Sequence, residues 1–77
     1  MKVDALFSPI LDLKAPLRPE DSPETISAWD SISHIQLILA IEDVIDGELT
    51  TDEVVSVTSV SKIIEICRAR GVELTVE

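Results

Sequence analysis

Apolar residues recur at three- and four-residue steps between Met1 and Leu13, at Val3, Leu6, Phe7, Ile10 and Leu11, the spacing of an amphipathic helix. Pro9 interrupts that period. An interior proline costs a helix about 3 kcal/mol, so the pattern predicts either a kinked helix or one that begins at Ser8 with Pro9 in its first turn. Residues 14–30 carry Pro16, Pro19 and Pro23 among acids, serines and threonines with no sustained period, and read as a long ordered loop. Leu17, Ile26 and Trp29 are the side chains expected to pin it to the core.

From Ser31 to Asp46 the chain has no glycine or proline and is rich in Ile and Leu, which predicts the longest helix, capped by Asp30 or Ser31. A helical wheel gathers His34, Leu37, Ile38, Ile41 and Ile45 on one face, read as core, and Ser33, Gln36, Ala40 and Asp43 on the other. Between them runs a second apolar stripe, Ile32, Ile35 and Leu39, for which so small a chain has little cover. Gly47 is expected to end the helix. Thr50 followed by Glu53 is a capping box that opens a short segment, Thr51 to Ser56. Thr58 or Ser59 then caps a last helix running to Arg70, with Val60, Ile63, Ile64 and Cys67 inward and Gly71 at its C-terminus. The tail from Val72 to Glu77 alternates apolar and polar residues but has no second strand to pair with, and reads as extended.

The whole is therefore expected to be one all-α domain over residues 1–77, a small bundle of four helices. Composition sharpens this. Val, Ile and Leu supply 26 of the 77 residues, and the hydrophobic content of 45% is too high for a disordered acidic tail. Seventy-seven residues leave no room for a large enzyme with its own substrate cavity. The net charge is −9, and residues 19–61 hold ten acids and no Lys or Arg, so binding to nucleic acid or an anionic membrane is not expected. Only Trp29 and Phe7 are aromatic, which leaves no platform for stacking bases. The single cysteine, Cys67, permits no internal disulfide and reads as a small core residue. No apolar run approaches a membrane span, and a cytoplasmic location is expected. Asp43, Asp46 and Glu48 lack the spacing of a calcium loop and read as a solvated acidic face, with no metal site.

The chemistry concentrates at Asp30-Ser31-Ile32, which opens the long helix behind the acidic loop. From here the chain resembles the acyl carrier proteins, whose signature is Asp-Ser-Leu with 4′-phosphopantetheine on the serine; Ile32 replaces the leucine. Leu37, Ile41 and Glu42 match that family's second helix, with Ile45 where phenylalanine is common. Leu49, Glu53 and Val54 match its short third helix, and Thr58, Val60 and Ile64 its fourth, so the likeness spans about residues 20–70.

The resemblance implies a four-helix bundle of acyl-carrier type, with a long loop between helices 1 and 2 and a short third helix. It implies a monomeric, non-catalytic carrier. Ser31 would take the arm from coenzyme A through a phosphopantetheinyl transferase, Asp30 would orient the site, and acyl groups would ride as thioesters. The partners implied are acyl-transferring, condensing or acyl-activating enzymes of fatty-acid, polyketide or related specialised biosynthesis. Docking would fall to Ile32, Ile35, Leu39, Ser33, Gln36, Glu42 and Asp43, and an acyl pocket to Ile38, Ile41, Val54, Val57, Val60 and Ile64. Independently of the likeness, a phosphodiester on Ser31 would lie at a helix N-terminus, where free N–H groups and the helix dipole favour an anion.

Three departures, Trp29 before the Asp, the Pro9-broken first helix, and Ser33 and Gln36 where acids are usual, resemble discrete, specialised bacterial carriers. Aminoacyl or peptidyl carriers of nonribosomal synthesis often read Asp-Ser-Ile, but usually have two glycines where this chain has Ala28 and Trp29. An unmodified helical interaction module is the alternative from another class. His34, one turn after Ser31, invites a nucleophile–base reading with Asp30. Successive side chains of one exposed helix make no oxyanion hole, however, and His34 reads as a flank of the inner face near the attachment site.

Overall fold

The computed structural model describes residues 1–11 and 16–76. The far end of the first apolar pattern, at Leu13, the first two residues of the loop, 14 and 15, and the last residue of the tail, Glu77, lie outside them. Four helices follow in order, α1 (Val3–Phe7), α2 (Ser31–Ile45), α3 (Thr51–Ser56) and α4 (Val60–Ala69), and there is no strand among the described residues. The molecule is thus mostly helical, with α1 and α4 each packed on α2. Val3, Leu6 and Phe7 of α1, Leu37 and Ile41 of α2, and Val60, Ile63, Ile66 and Cys67 of α4 meet in one core.

Pro9 neither kinks α1 nor starts it. The helix ends at Phe7, and the chain continues through a turn in which the N–H groups of Ile10 and Leu11 both donate to the Phe7 carbonyl, at 2.9 and 2.8 Å. Ser8 keeps helical dihedrals and its N–H still bonds the Asp4 carbonyl, but Pro9 has no N–H to give, so the regular ladder is broken at it. Leu11 is nonetheless buried.

Leu17 and Trp29 anchor the long loop as expected, and Ile26 packs against the core. The loop also serves α4. The first N–H groups of that helix, at Val60 and Ser61, donate to the carbonyls of Asp21 and Pro19 at 2.9 and 3.0 Å, while the Ser59 hydroxyl accepts from Lys62 N–H. Donors that a helix start leaves unpaired are thus met by loop carbonyls. Buried Asp21 holds the loop in shape, accepting from the Arg18 N–H and guanidinium and from the Thr25 hydroxyl. Burial by itself would raise its pKa, but these hydrogen bonds more than offset that and hold the carboxyl below its ordinary range.

The wheel drawn from the sequence was turned too far toward Ile38. The buried line of α2 runs through Leu37 and Ile41; Ala40 and Val44 pack on one flank, and Ile38 and Ile45 on the other. Ser33, assigned to the solvent face, is 7% exposed, and Ala40 is half-buried. Ile32, Ile35 and Leu39 therefore form the face opposite the core rather than a strip between two faces, and are 71, 61 and 60% exposed.

Both long helices end in a left-handed residue with paired carbonyls. At α2 that residue is Asp46 (φ 54°), not the expected Gly47, and Gly47 N–H bonds back to the Glu42 carbonyl. At α4 it is Gly71 (φ 83°), with Val72 N–H bonding to the Cys67 carbonyl. These are Schellman closures, which aspartate tolerates and glycine prefers. Cys67 lies in the core, and burial pushes its thiol pKa up.

α3 contains no buried residue. Polar contacts place it instead. Glu53 closes the capping box with Thr50 and also receives the Arg70 guanidinium, which donates in addition to the Glu48 carbonyl at 3.0 Å. Glu42 accepts from Leu49 N–H at 3.0 Å and fixes the turn between α2 and α3.

The tail is not free. Thr75 N–H donates to the Met1 carbonyl and Val3 N–H to the Thr75 carbonyl, both at 2.9 Å, a parallel one-residue bridge. The partner that the tail lacked in the sequence pattern is the extended backbone at Lys2. The bridge turns Leu74 into the core, where it is 2% exposed.

Two outcomes follow from this packing. Leu74→Ala should cost about 2 kcal/mol, the low end for a buried leucine because a terminal segment can relax, and urea denaturation reads it; a loss under about 0.5 kcal/mol would mean the tail is not part of the core. Thr50 N–H and Arg70 hold the Glu53 carboxyl below its ordinary value of 4.5. A folded-state pKa below the unfolded one adds stability above about pH 4.5 that is lost as pH falls through the lowered value. The melting-temperature gap between wild type and Glu53→Gln should therefore be full at pH 7 and close in acid, and a gap independent of pH would contradict this role.

Candidate functional site

Asp30 is the N-cap of α2, and its carboxylate accepts the Ser33 N–H at 3.0 Å while the Ser33 hydroxyl accepts the Asp30 N–H at 3.2 Å. This is a reciprocal capping box with serine in the place usually held by Glu or Gln. The Ser33 hydroxyl also lies 2.5 Å from the Ala28 carbonyl and 2.7 Å from Asp30 Oδ1, with one proton to give between them. The Ser33 N–H and then its hydroxyl hold the Asp30 carboxyl below its ordinary range, so it is ionised near neutral pH.

One residue outside the box on each side, Trp29 and His34 occupy the two positions that pair in a hydrophobic staple. The indole N–H donates to His34 Nδ1 at 3.0 Å, and the rings lie 22° from parallel with centroids 6.2 Å apart. Trp29 is buried, and it also packs edge-to-face on Phe7 at 5.3 Å, which ties α1 to the start of α2. Accepting at Nδ1 leaves the neutral imidazole with its proton on Nε2. His34 is thus paired with Trp29 through Nδ1.

With the cap completed by Asp30 and Ser33, the hydroxyl of Ser31 is not needed to close the helix. It stands exposed in the first turn of α2, where the Ser31 and Ile32 N–H groups have no carbonyl partner within the helix. Beside it is an open groove of about 530 Å³ lined by Pro23, Trp29, Asp30, Ser31, His34 and Ile35.

The other expected residues divide. Ile32, Ile35 and Leu39 form one exposed apolar row with Gln36 and Asp43 beside them, and Ile35 also walls the groove. Ser33 does not belong to that row, because its hydroxyl is committed to the cap under the loop. Glu42 is half-buried and committed to Leu49 N–H. Of the six expected pocket residues, Ile41, Val57 and Val60 are in the core, Ile38 and Ile64 pack against it, and Val54 is half-buried. No group of three or more His, Cys, Asp or Glu among the described residues is arranged to hold a metal ion. No helix of the described residues is long and apolar enough to cross a membrane.

The Trp29–His34 pair was missed in the sequence. Its signal was present: an aromatic immediately before an N-cap Asp, with a histidine four residues after that cap. Set against protein-family models, curated proteins and solved structures, the chain matches none.

Ser33→Ala removes one half of the capping box and leaves the Asp30 N–H and carboxylate short of a partner. It should cost about 1 kcal/mol in chemical denaturation. A neutral result would show that the box is not what holds the start of α2.

Proposed function

We propose that this protein is a carrier of the acyl-carrier type, with 4′-phosphopantetheine attached to Ser31. The observation that carries the reading is the division of labour at the start of α2. Asp30 and Ser33 close the helix, so an exposed serine hydroxyl stands ready for modification without a structural duty. The site suits the group. A phosphodiester on Ser31 would lie beside first-turn N–H groups that have no carbonyl partner within the helix and at the positive end of the α2 dipole, and the open groove alongside leaves room for a long substituent. Asp30 would hold the turn that presents the hydroxyl. When bound, the arm would supply a thiol that carries an acyl group as a thioester, and the bond-making chemistry would belong to partner enzymes.

In this reading the four helices are an acyl-carrier bundle. The row Ile32, Ile35 and Leu39 with Gln36 and Asp43 is the surface offered to the transferase and to acyl-transferring, condensing or acyl-activating enzymes. Discrimination among them would rest on apolar fit more than on charge, since exposed ion pairs contribute only roughly 0.2–1 kcal/mol each. Ile38, Ile41, Val54, Val57, Val60 and Ile64 would shelter an aliphatic cargo.

The test is the intact mass after treatment with a broad-specificity phosphopantetheinyl transferase, coenzyme A and Mg²⁺. Wild type should gain one arm and Ser31→Ala none, with unchanged helicity and a stability change within about 0.5 kcal/mol, because the cap is untouched. Wild type that stays unmodified would sink the reading in favour of a helical interaction module, and modification of Ser31→Ala would sink the assignment of the residue.

A further inference from the structure

The groove beside Ser31 has a more specific use, which rests on the carrier reading. Ser31 and His34 are i, i+3 neighbours on α2, close enough for side chains of one turn to meet. Both line the groove. The Trp29 N–H occupies His34 Nδ1, so the imidazole proton sits on Nε2, the nitrogen turned away from the indole. A donor whose tautomer is set by Trp29 therefore lines the same groove as the hydroxyl that would bear an anion. The remaining walls are the apolar Pro23, Trp29 and Ile35 and the carboxylate of Asp30, around an open space of about 530 Å³.

We propose that His34 is a binding residue for the arm, donating from Nε2 to a non-bridging oxygen of the phosphodiester on Ser31. The branched, methyl-bearing segment next to the phosphate then lies in the groove against Trp29, Pro23 and Ile35. Trp29 acts through His34 as a positioning residue. Its N–H selects the tautomer, and its packing on Phe7 fixes where the imidazole stands. The arm would leave Ser31 in a set direction, along the wall between the loop and the first turn of α2, instead of swinging from a bare helix end.

The experiment compares apo and holo forms of wild type, His34→Ala and Trp29→Phe, with loading verified by intact mass. Phosphorus NMR reports the phosphodiester, and proton–nitrogen NMR reports the backbone and the indole. Loading of wild type should shift the Trp29 indole N–H and the amides of Ile32, His34 and Ile35. Its phosphorus resonance should stand apart from that of the same protein unfolded in urea. His34→Ala should bring that resonance to the unfolded position, and Trp29→Phe, which keeps a ring against Phe7 but removes the donor to Nδ1, should move it part of the way. Loaded wild type whose phosphorus signal already sits at the unfolded position, or is unmoved by His34→Ala, overturns the inference while leaving the carrier reading intact. So does a loading response confined to Ile38, Val54 and Ile64. Failure of the wild type to load overturns the carrier reading, and this inference with it.

Discussion

A helix begins with N–H groups that have no partner inside it, and how the first turn of α2 meets that demand organises the rest of the molecule. The answer is a cap drawn from both sides of the boundary. Asp30 and Ser33 exchange backbone and side-chain hydrogen bonds, and Ser33 reaches further back to the Ala28 carbonyl, so the end of the long loop and the start of the helix become one unit. Trp29 is thereby turned inward, where it meets Phe7 of α1 on one side and His34 on the other. Because two residues complete the cap, the serine between them is left exposed with its hydroxyl outside it.

The same turn sets the rotation of α2. Ser33 under the loop places Leu37 and Ile41 along the buried line, and that rotation presents Ile32, Ile35 and Leu39 to solvent on the opposite side. An exposed apolar row this continuous is a surface suited to contact, and it begins next to Ser31. In the carrier reading, attachment point and contact surface are two consequences of one rotation.

The remaining elements differ in what holds them. α1, α2 and α4 share a buried core, whereas α3 relies on Glu53, Arg70 and the Glu42–Leu49 contact. Polar contacts of partly exposed groups are weaker than burial, so α3 is the element whose local opening should cost least. In the carrier reading, Val54 and Val57 at this element are where an interior could loosen around a cargo.

Four helices, a cap at the start of α2, the capping box at Thr50, the glycine closure at Gly71, the anchoring of Leu17 and Trp29 and the uncovered stripe were all legible in the residues themselves, whereas the Asp30–Ser33 box was not. Each rests on short-range rules, in which a cap, a proline or a period of 3.6 residues acts within a turn or two. What the tertiary structure decided depends on partners distant in sequence or on small rotations. The tail became a core element only because the extended N-terminus offers a carbonyl and an N–H at Lys2's neighbours, and no local pattern announces a one-residue bridge across more than seventy positions. The left-handed residue fell on Asp46 rather than Gly47, because the helix stopped one residue earlier than composition suggests and aspartate can adopt that conformation. Ser33 changed sides because a wheel lacks an absolute phase: an error of part of a turn moves a flank residue between core and solvent, and only the packing of α1, the loop and α4 against α2 supplies the phase.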